Sequence, residues 1–153
     1  MEGSAKPQSY RLRLGRSSES GRIYLVTSTC EQRRPLFLNQ VLGRHVVHAF
    51  RDTGNFCDTL AFVIMPDHFH WLLELKDGAP LSRCVQKAKA RSTQRIRAQL
   101  PNVERVWQRG FHDRALRKED DIQAAARYII ANPLRAGIVR SVREYPLWDA
   151  VWV

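Results

Sequence analysis

The stretch that decides the fold is AFVIMPDHFHWLLELK, residues 61–76. Phe62, Val63 and Ile64 precede Pro66, and Trp71, Leu72, Leu73 and Leu75 follow it. Two apolar runs this close, divided only by Met65-Pro66-Asp67, predict an antiparallel hairpin with a short turn. Successive strand residues point to opposite faces, so the second run splits in two. Phe69, Trp71, Leu73 and Leu75 make one wholly apolar face, expected to meet the main core. His68, His70, Leu72 and Glu74 make the other. That places two imidazoles side by side, roughly 7 Å apart at the backbone. Two neutral imidazoles at that spacing suit a divalent cation that keeps open positions for a substrate. Zinc enzymes and oxygenases also use His-x-His, but with a third strong ligand, for which only Glu74 and Asp67 stand nearby in sequence.

Working outward, RIYLVTSTC (22–30) reads as a strand and NQVLGRHVVHAFRDTG (39–54) as a helix. Asn39 is the expected cap of that helix, with Leu42, Val46, Ala49 and Phe50 at helical spacing. PLSRCVQKAKARSTQRIRAQLP (80–101) is a second helix with Leu81, Cys84, Val85, Ala88 and Ile96 on its apolar side. VERVWQRGFHDRAL (103–116) predicts a short strand on either side of Gly110. KEDDIQAAARYIIAN (118–132) is a third helix. Glu119, Asp120 and Asp121 suit its positive N-terminus, and Pro133 stops it. The order strand, helix, strand, strand, helix, strand, helix predicts an α+β fold. It is a ferredoxin-like antiparallel sheet of the split β-α-β kind, with helices packed on it and an added C-terminal helix that bears Tyr128. Residues 1–20 read as a flexible basic arm, 21–140 as one domain, and 141–153 as a tail whose aromatics must dock on it.

Charge narrows the function. The 153 residues carry 25 Lys plus Arg against 15 Asp plus Glu, a net +10, and most of the basic residues are arginine. Arginine favours planar, bidentate phosphate contact and stacks on bases, so a polyanion, nucleic acid first, is the expected partner. No apolar run approaches the roughly 20 residues of a membrane span. The first residues lack the apolar centre of a secretory signal, so a cytoplasmic protein is expected. Cys30, Cys57 and Cys84 are odd in number and far apart, with no CxxC, which speaks against a disulfide framework or a cysteine zinc site.

The last helix adds the second chemical element. Tyr128 and Asn132 are four apart and share a face with Asp121 and Ala125, while Ile122, Ala126, Ile129 and Ile130 take another. A helical tyrosine is ordinarily packing. Here it is joined to a metal-capable His-x-His, a strongly basic chain and an amide one turn away. His45, His48 and His112 read as hydrogen-bonded structural histidines.

With these pieces in order, the chain resembles a known family. MPDHFHWLLEL is similar to the HUH box (His, bulky hydrophobe, His) of single-strand DNA nucleases. WQRGFHDRALRKEDD followed by YIIANPLRAGIV resembles the REP-associated tyrosine transposases, in the superfamily of single-tyrosine HUH transposases. The likeness runs from about Gly21 to Val139, which makes 21–140 the catalytic domain. It implies a metal pair at His68 and His70, a nucleophile at Tyr128, and a further metal ligand at Asn132. It also implies Mg²⁺ or Mn²⁺ as cofactor and a covalent 5′-phosphotyrosine intermediate. The implied partner is single-stranded DNA carrying a repetitive extragenic palindrome (REP) hairpin. The implied setting is a bacterial cytoplasm, at the nucleoid. A monomer is implied, with a dimer that swaps the tyrosine helix left open. Two positions depart from the usual pattern: Asp67 stands where the family often has Asn, and Arg114 where it often has His.

Candidate DNA contacts are Lys87, Arg91 and Arg95, which form one basic stripe at i, i+4 and i+8, and Arg11 and Arg13 on the arm. The stripe reads equally as a solvated helix face. Arg114 is a candidate phosphate contact and Trp107 a candidate stacking platform, although tryptophan is more often core. Two alternatives to the transposase stay open: a hairpin-binding protein with little or no cleavage, and a small zinc hydrolase.

Overall fold

Pro66 and Asp67 alone separate the two central strands, because Met65 already pairs with His68 and Ile64 with Phe69. A computed structural model describes residues 22–152. Its strands are β1 (Ile23–Thr29), β2 (Cys57–Met65), β3 (His68–Leu75), β4 (His112–Leu116) and β5 (Trp148–Ala150). Its helices are α1 (Gln40–Arg51), α2 (Leu81–Gln99), α3 (Glu119–Ile130) and the short α4 (Asn132–Arg135). The sheet order is β4-β1-β3-β2-β5, and every pairing is antiparallel. The first four strands have the ferredoxin-like arrangement expected from the sequence, with β3 and its histidines at the centre. β5 extends the sheet at the β2 edge.

Local chemistry explains the boundaries. The Asn39 side chain accepts from the backbone N–H of Val41 and Leu42 and so caps α1. Three acidic residues open α3. The segment before Gly110 is not a strand: Trp107 makes a single bridge to Cys30, and the chain turns through Gly110 at φ 75° before β4 begins. Glycine adopts that left-handed conformation without steric penalty.

The sheet is covered on both sides, which the alternation of β3 alone did not require. Phe69, Trp71 and Leu73 lie under α1 and α2. Phe50 of α1 stacks on Trp71 with ring centroids 4.1 Å apart and meets Phe69 edge-on at 5.1 Å. The Trp71 indole N–H donates to Thr59 Oγ1 at 2.9 Å, so the largest core side chain buries no unpaired donor. On the opposite face Leu72 and Glu74 are also buried, beneath α3, whose Ile122, Ala126 and Ile129 are buried in turn. Leu72 on this face would lose about 2 kcal/mol of transfer free energy if left in water, which is why α3 returns to cover it. Only the end of the face that carries His68 and His70 stays partly open.

The tail lies along β2 as β5, where the Tyr145 hydroxyl donates to the carbonyl of Ile64. Leu147 presses on Gly43 of α1 so closely that a Cβ there would stand 2.5 Å from its Cδ1. All three cysteines are free thiols and fully buried, and Cys57 and Cys84 meet with their Sγ atoms 2.9 Å apart. Among the described residues no helix is long and apolar enough to cross a membrane.

Candidate active site

His68 and His70 project from the central strand beside β1, where Thr29 pairs with His68 and Thr27 with His70. Their ring centroids are 4.9 Å apart and the rings meet edge to face. Each ring is held through Nδ1. His68 Nδ1 donates to Asp67 Oδ1 at 2.7 Å, and His70 Nδ1 shares a hydrogen bond with Thr27 Oγ1 at 2.8 Å. Fixing Nδ1 leaves Nε2 of each ring as the nitrogen able to bind an ion, the usual way a supporting partner orients a ligating imidazole. The Asp67 carboxylate thus orients the His68 ring.

Asp67 is itself anchored. Its other oxygen accepts from Arg33 Nε at 3.1 Å. Burial by itself would raise its pKa, but the hydrogen bonds from His68 and Arg33 outweigh that and hold it below the ordinary value. Arg33 reaches it from a loop in which Gln32 and Arg33 both take left-handed backbone angles, φ 57° and 53°. Such conformations cost roughly 1–2 kcal/mol per non-glycine residue. The same loop grips the turn directly, with Cys30 N–H on the Asp67 carbonyl at 2.8 Å and Phe37 N–H on that of Pro66 at 3.0 Å.

His70 is neutral at pH 7. Burial first, then the neighbouring His68 and Arg135, push its pKa down to about 4 from 6.5. An unfolded chain would protonate it near 6.5. This contribution to stability is therefore complete above pH 6.5 and lost as the pH falls from 6.5 towards 4. Metal-free protein should lose melting temperature across that window, and His70→Gln should lose less; equal slopes would show that another group controls it.

The tyrosine helix lies on the histidine face. Tyr128 is 62% exposed, too open for a packing residue, while its helix buries Ile122, Ala125, Ala126 and Ile129. After Ala131 the chain makes one more turn with Pro133 near its start, rather than stopping, and closes at Gly137 with φ 74°. That turn returns Arg135 to Tyr128: its Cζ lies 3.7 Å from the phenol ring centroid, and its Nη2 donates to Asn132 Oδ1. Beside Tyr128 a groove of about 620 Å³ runs between Leu25, Arg114, Leu116, Asp121, Ala124 and Ala125. Arg114 is exposed on the edge strand and joins the same face.

The other expected contacts lie elsewhere. Lys87, Arg91 and Arg95 sit on α2, across the sheet from the histidines. Arg95 pairs with Asp52 at 3.1 Å, Lys87 Nζ lies 5.3 Å over the Phe56 ring, and Arg91 is exposed. Two of the three thus tie α2 to its surroundings. Trp107 is not a stacking platform. It is buried against Phe37 and Phe69, and its indole N–H donates to Ser92 Oγ at 3.0 Å. Arg11 and Arg13 lie outside the described residues. Of the histidines read as structural, His45 bonds Gln99, whereas His48 and His112 are exposed, His112 in register with Thr27 and so on the site's own face.

The residues present fit a divalent ion at the two Nε2 atoms. Asn132 fits less directly, because Arg135 donates to its oxygen. Glu74 is four residues along β3 from His70, roughly 13 Å away, and Asp67 is taken by His68 and Arg33. Among the described residues no three or more His, Cys, Asp or Glu gather as a metal set, so nothing here supports a zinc hydrolase. Arg135, Thr27 and Arg33 were not legible in the sequence. For Arg135 one signal existed, its i+7 spacing from Tyr128, hidden by reading Pro133 as the end of the helix.

The histidine pair and the exposed tyrosine share one face of the sheet, and residues 19–132 match the family described as "Transposase IS200 like". The chain belongs to that family. Within it, the chain is similar to a REP-associated tyrosine transposase of Escherichia coli K12, 25% identical over 82% of this chain and 74% of the relative. A putative REP-associated tyrosine transposase of Haemophilus influenzae is 23% identical over 86% of this chain and 81% of the relative. In fold it is similar to a REP-associated tyrosine transposase solved bound to a REP hairpin, with TM-score 0.71, 23% identity, and coverage of 84% of this chain and 76% of that one. A putative transposase from Deinococcus radiodurans is more distant, with TM-score 0.54, 18% identity, and coverage of 70% and 87%.

Proposed function

We propose that the protein is a metal-dependent endonuclease and strand transferase for single-stranded DNA, acting at REP-type hairpins in the bacterial cytoplasm, at the nucleoid. The observation that carries this reading is the exposed Tyr128 phenol and the two oriented imidazoles on one face of the same chain. The packing of α3 on its own sheet supports the reading that one chain supplies both halves of the site. The resemblance of the chain to hairpin-acting relatives supports the substrate class.

His68 and His70 would hold Mg²⁺ or Mn²⁺ through Nε2, and Asn132 could join them once its oxygen is free of Arg135. When bound, such an ion would supply Lewis-acid polarisation of the scissile phosphate. The Tyr128 oxygen loses its proton and attacks phosphorus, the P–O3′ bond breaks, and the departing 3′ oxygen takes up a proton. The result is a 5′-phosphotyrosine and a free 3′-hydroxyl. A 3′-hydroxyl of another strand reverses the step and rejoins DNA, because a phenolate is a competent leaving group. Arg114, beside the groove, contacts the backbone of the bound strand.

An ion on the strand side and a tyrosine on the helix side require a phosphate whose backbone can bend between them. In duplex DNA the flanking bases are paired and stacked, and opening them costs a few kcal/mol. A labelled oligonucleotide carrying a folded hairpin should therefore be cleaved when single-stranded, and hardly at all when annealed to its complement at the same salt and metal. Equal cleavage of both forms would defeat the reading, and binding without cleavage of either would leave the hairpin-binding alternative in its place. Binding should weaken with salt by about one log unit per log unit for each phosphate neutralised.

A smaller effect follows from the support under His68. Asp67→Ala should weaken Mn²⁺ binding, measured by calorimetry, by about 10- to 100-fold, and Asp67→Asn by less. Unchanged affinity in the alanine variant would show that Asp67 does not orient the ligand.

A further inference from the structure

Arg135 touches both Tyr128 and Asn132, and the mechanism above gives it no task. Its guanidinium lies 3.7 Å from the Tyr128 ring centroid and donates to Asn132 Oδ1 through Nη2. Among the described residues it makes no ion pair with a carboxylate. A guanidinium has five N–H donors in a rigid fork, and the amide of Asn132 occupies one nitrogen. A stapling role is a poor account of this arrangement, since a cation on an exposed ring contributes only about 0.5–1 kcal/mol. A fork with donors to spare, directed by an amide below it and a flat ring beside it, is suited to an oxyanion arriving beside Tyr128.

We infer that Arg135 is a catalytic residue that grips a non-bridging oxygen of the scissile phosphodiester and holds the phosphorus against the Tyr128 hydroxyl. This rests on the function proposed above. Asn132 then has a second use, because its amide oxygen sets the direction of the fork before DNA arrives. The stacking on Tyr128 holds nucleophile and phosphate clamp in one unit. Arg135 makes no covalent bond and moves no proton; it matches charge that grows on the phosphate as the Tyr–O–P bond forms.

The test uses the full chain and an oligonucleotide whose cleavage position in the wild type has been mapped. If the wild type neither cleaves nor forms an adduct, the proposed function itself fails before Arg135 is questioned. Given a cleaving wild type, R135A should slow single-turnover cleavage by about 100-fold or more, with R135K between the two. Hairpin affinity and melting temperature should stay near the wild-type values. The discriminating measurement replaces the scissile phosphate by a neutral methylphosphonate. A clamp loses its target when the charge goes, so the replacement should slow the wild type by at least about tenfold and R135A by much less. Equal slowing in both proteins, or R135A cleavage at the wild-type rate, overturns the assignment.

Discussion

Replacing Tyr128 with Phe should abolish strand cleavage, by at least about 10³-fold, while hairpin affinity stays within about twofold. On the proposed mechanism only the phenolic oxygen makes the bond to phosphorus, so its loss should remove the reaction rather than slow it. The ring remains, and with it the face on which Arg135 stacks. The fold should not notice, because the side chain is mostly exposed. Melting temperatures of the two proteins should therefore agree. A Phe variant that still nicks the hairpin would mean that water or another residue attacks, and the tyrosine helix would need a different explanation.

The histidine pair makes a prediction of similar size. His68→Ala or His70→Ala should each eliminate cleavage, and EDTA should do the same to the wild type, reversibly on adding Mn²⁺. His70→Ala also removes the hydrogen bond with Thr27 at the centre of the sheet, so about 1 kcal/mol of stability goes with it. His68 lies at the strand end, and its bond runs to the adjacent Asp67. It is the cleaner probe. A wild type that cleaves fully in EDTA would return both imidazoles to a structural role.

What the sequence disclosed, and what it hid, follows from the range of the forces involved. The hairpin, the division of β3 into two faces and the Asn39 cap depend on neighbours a few residues apart, and they were legible. The place of Lys87 and Arg95 was not. Spacing of four shows that they share a face of α2, but only the packing of α1 decides that Arg95 meets Asp52, 43 residues away. Trp107 was ambiguous for the same reason, since the indole's partners Phe37, Phe69 and Ser92 come from three separate elements. The three-residue β5 carries too little pattern of its own, and its pairing is secured by Tyr145 and Leu147 beside it.

The site divides in the same way. His68, His70 and Tyr128 carry distinctive chemistry at fixed spacing, and a family resemblance gathers them. Their supports do not. Thr27 reaches His70 through strand register, and Arg33 reaches Asp67 through a strained loop. Pro133 misleads by its usual meaning, because here it opens another turn and thereby sends Arg135 back over the tyrosine.

The central claim is that Tyr128 becomes covalently attached to the 5′ side of the cut strand. The most direct measurement incubates the protein with a hairpin-bearing single-stranded oligonucleotide and Mn²⁺, digests both components, and determines peptide masses. The account predicts that the peptide containing Tyr128 carries a 5′-phosphorylated nucleotide remnant, and that the released strand ends in a 3′-hydroxyl. A cut strand bearing a free 5′-phosphate with oxygen drawn from solvent water, and a Tyr128 peptide of unmodified mass throughout the reaction, would contradict it.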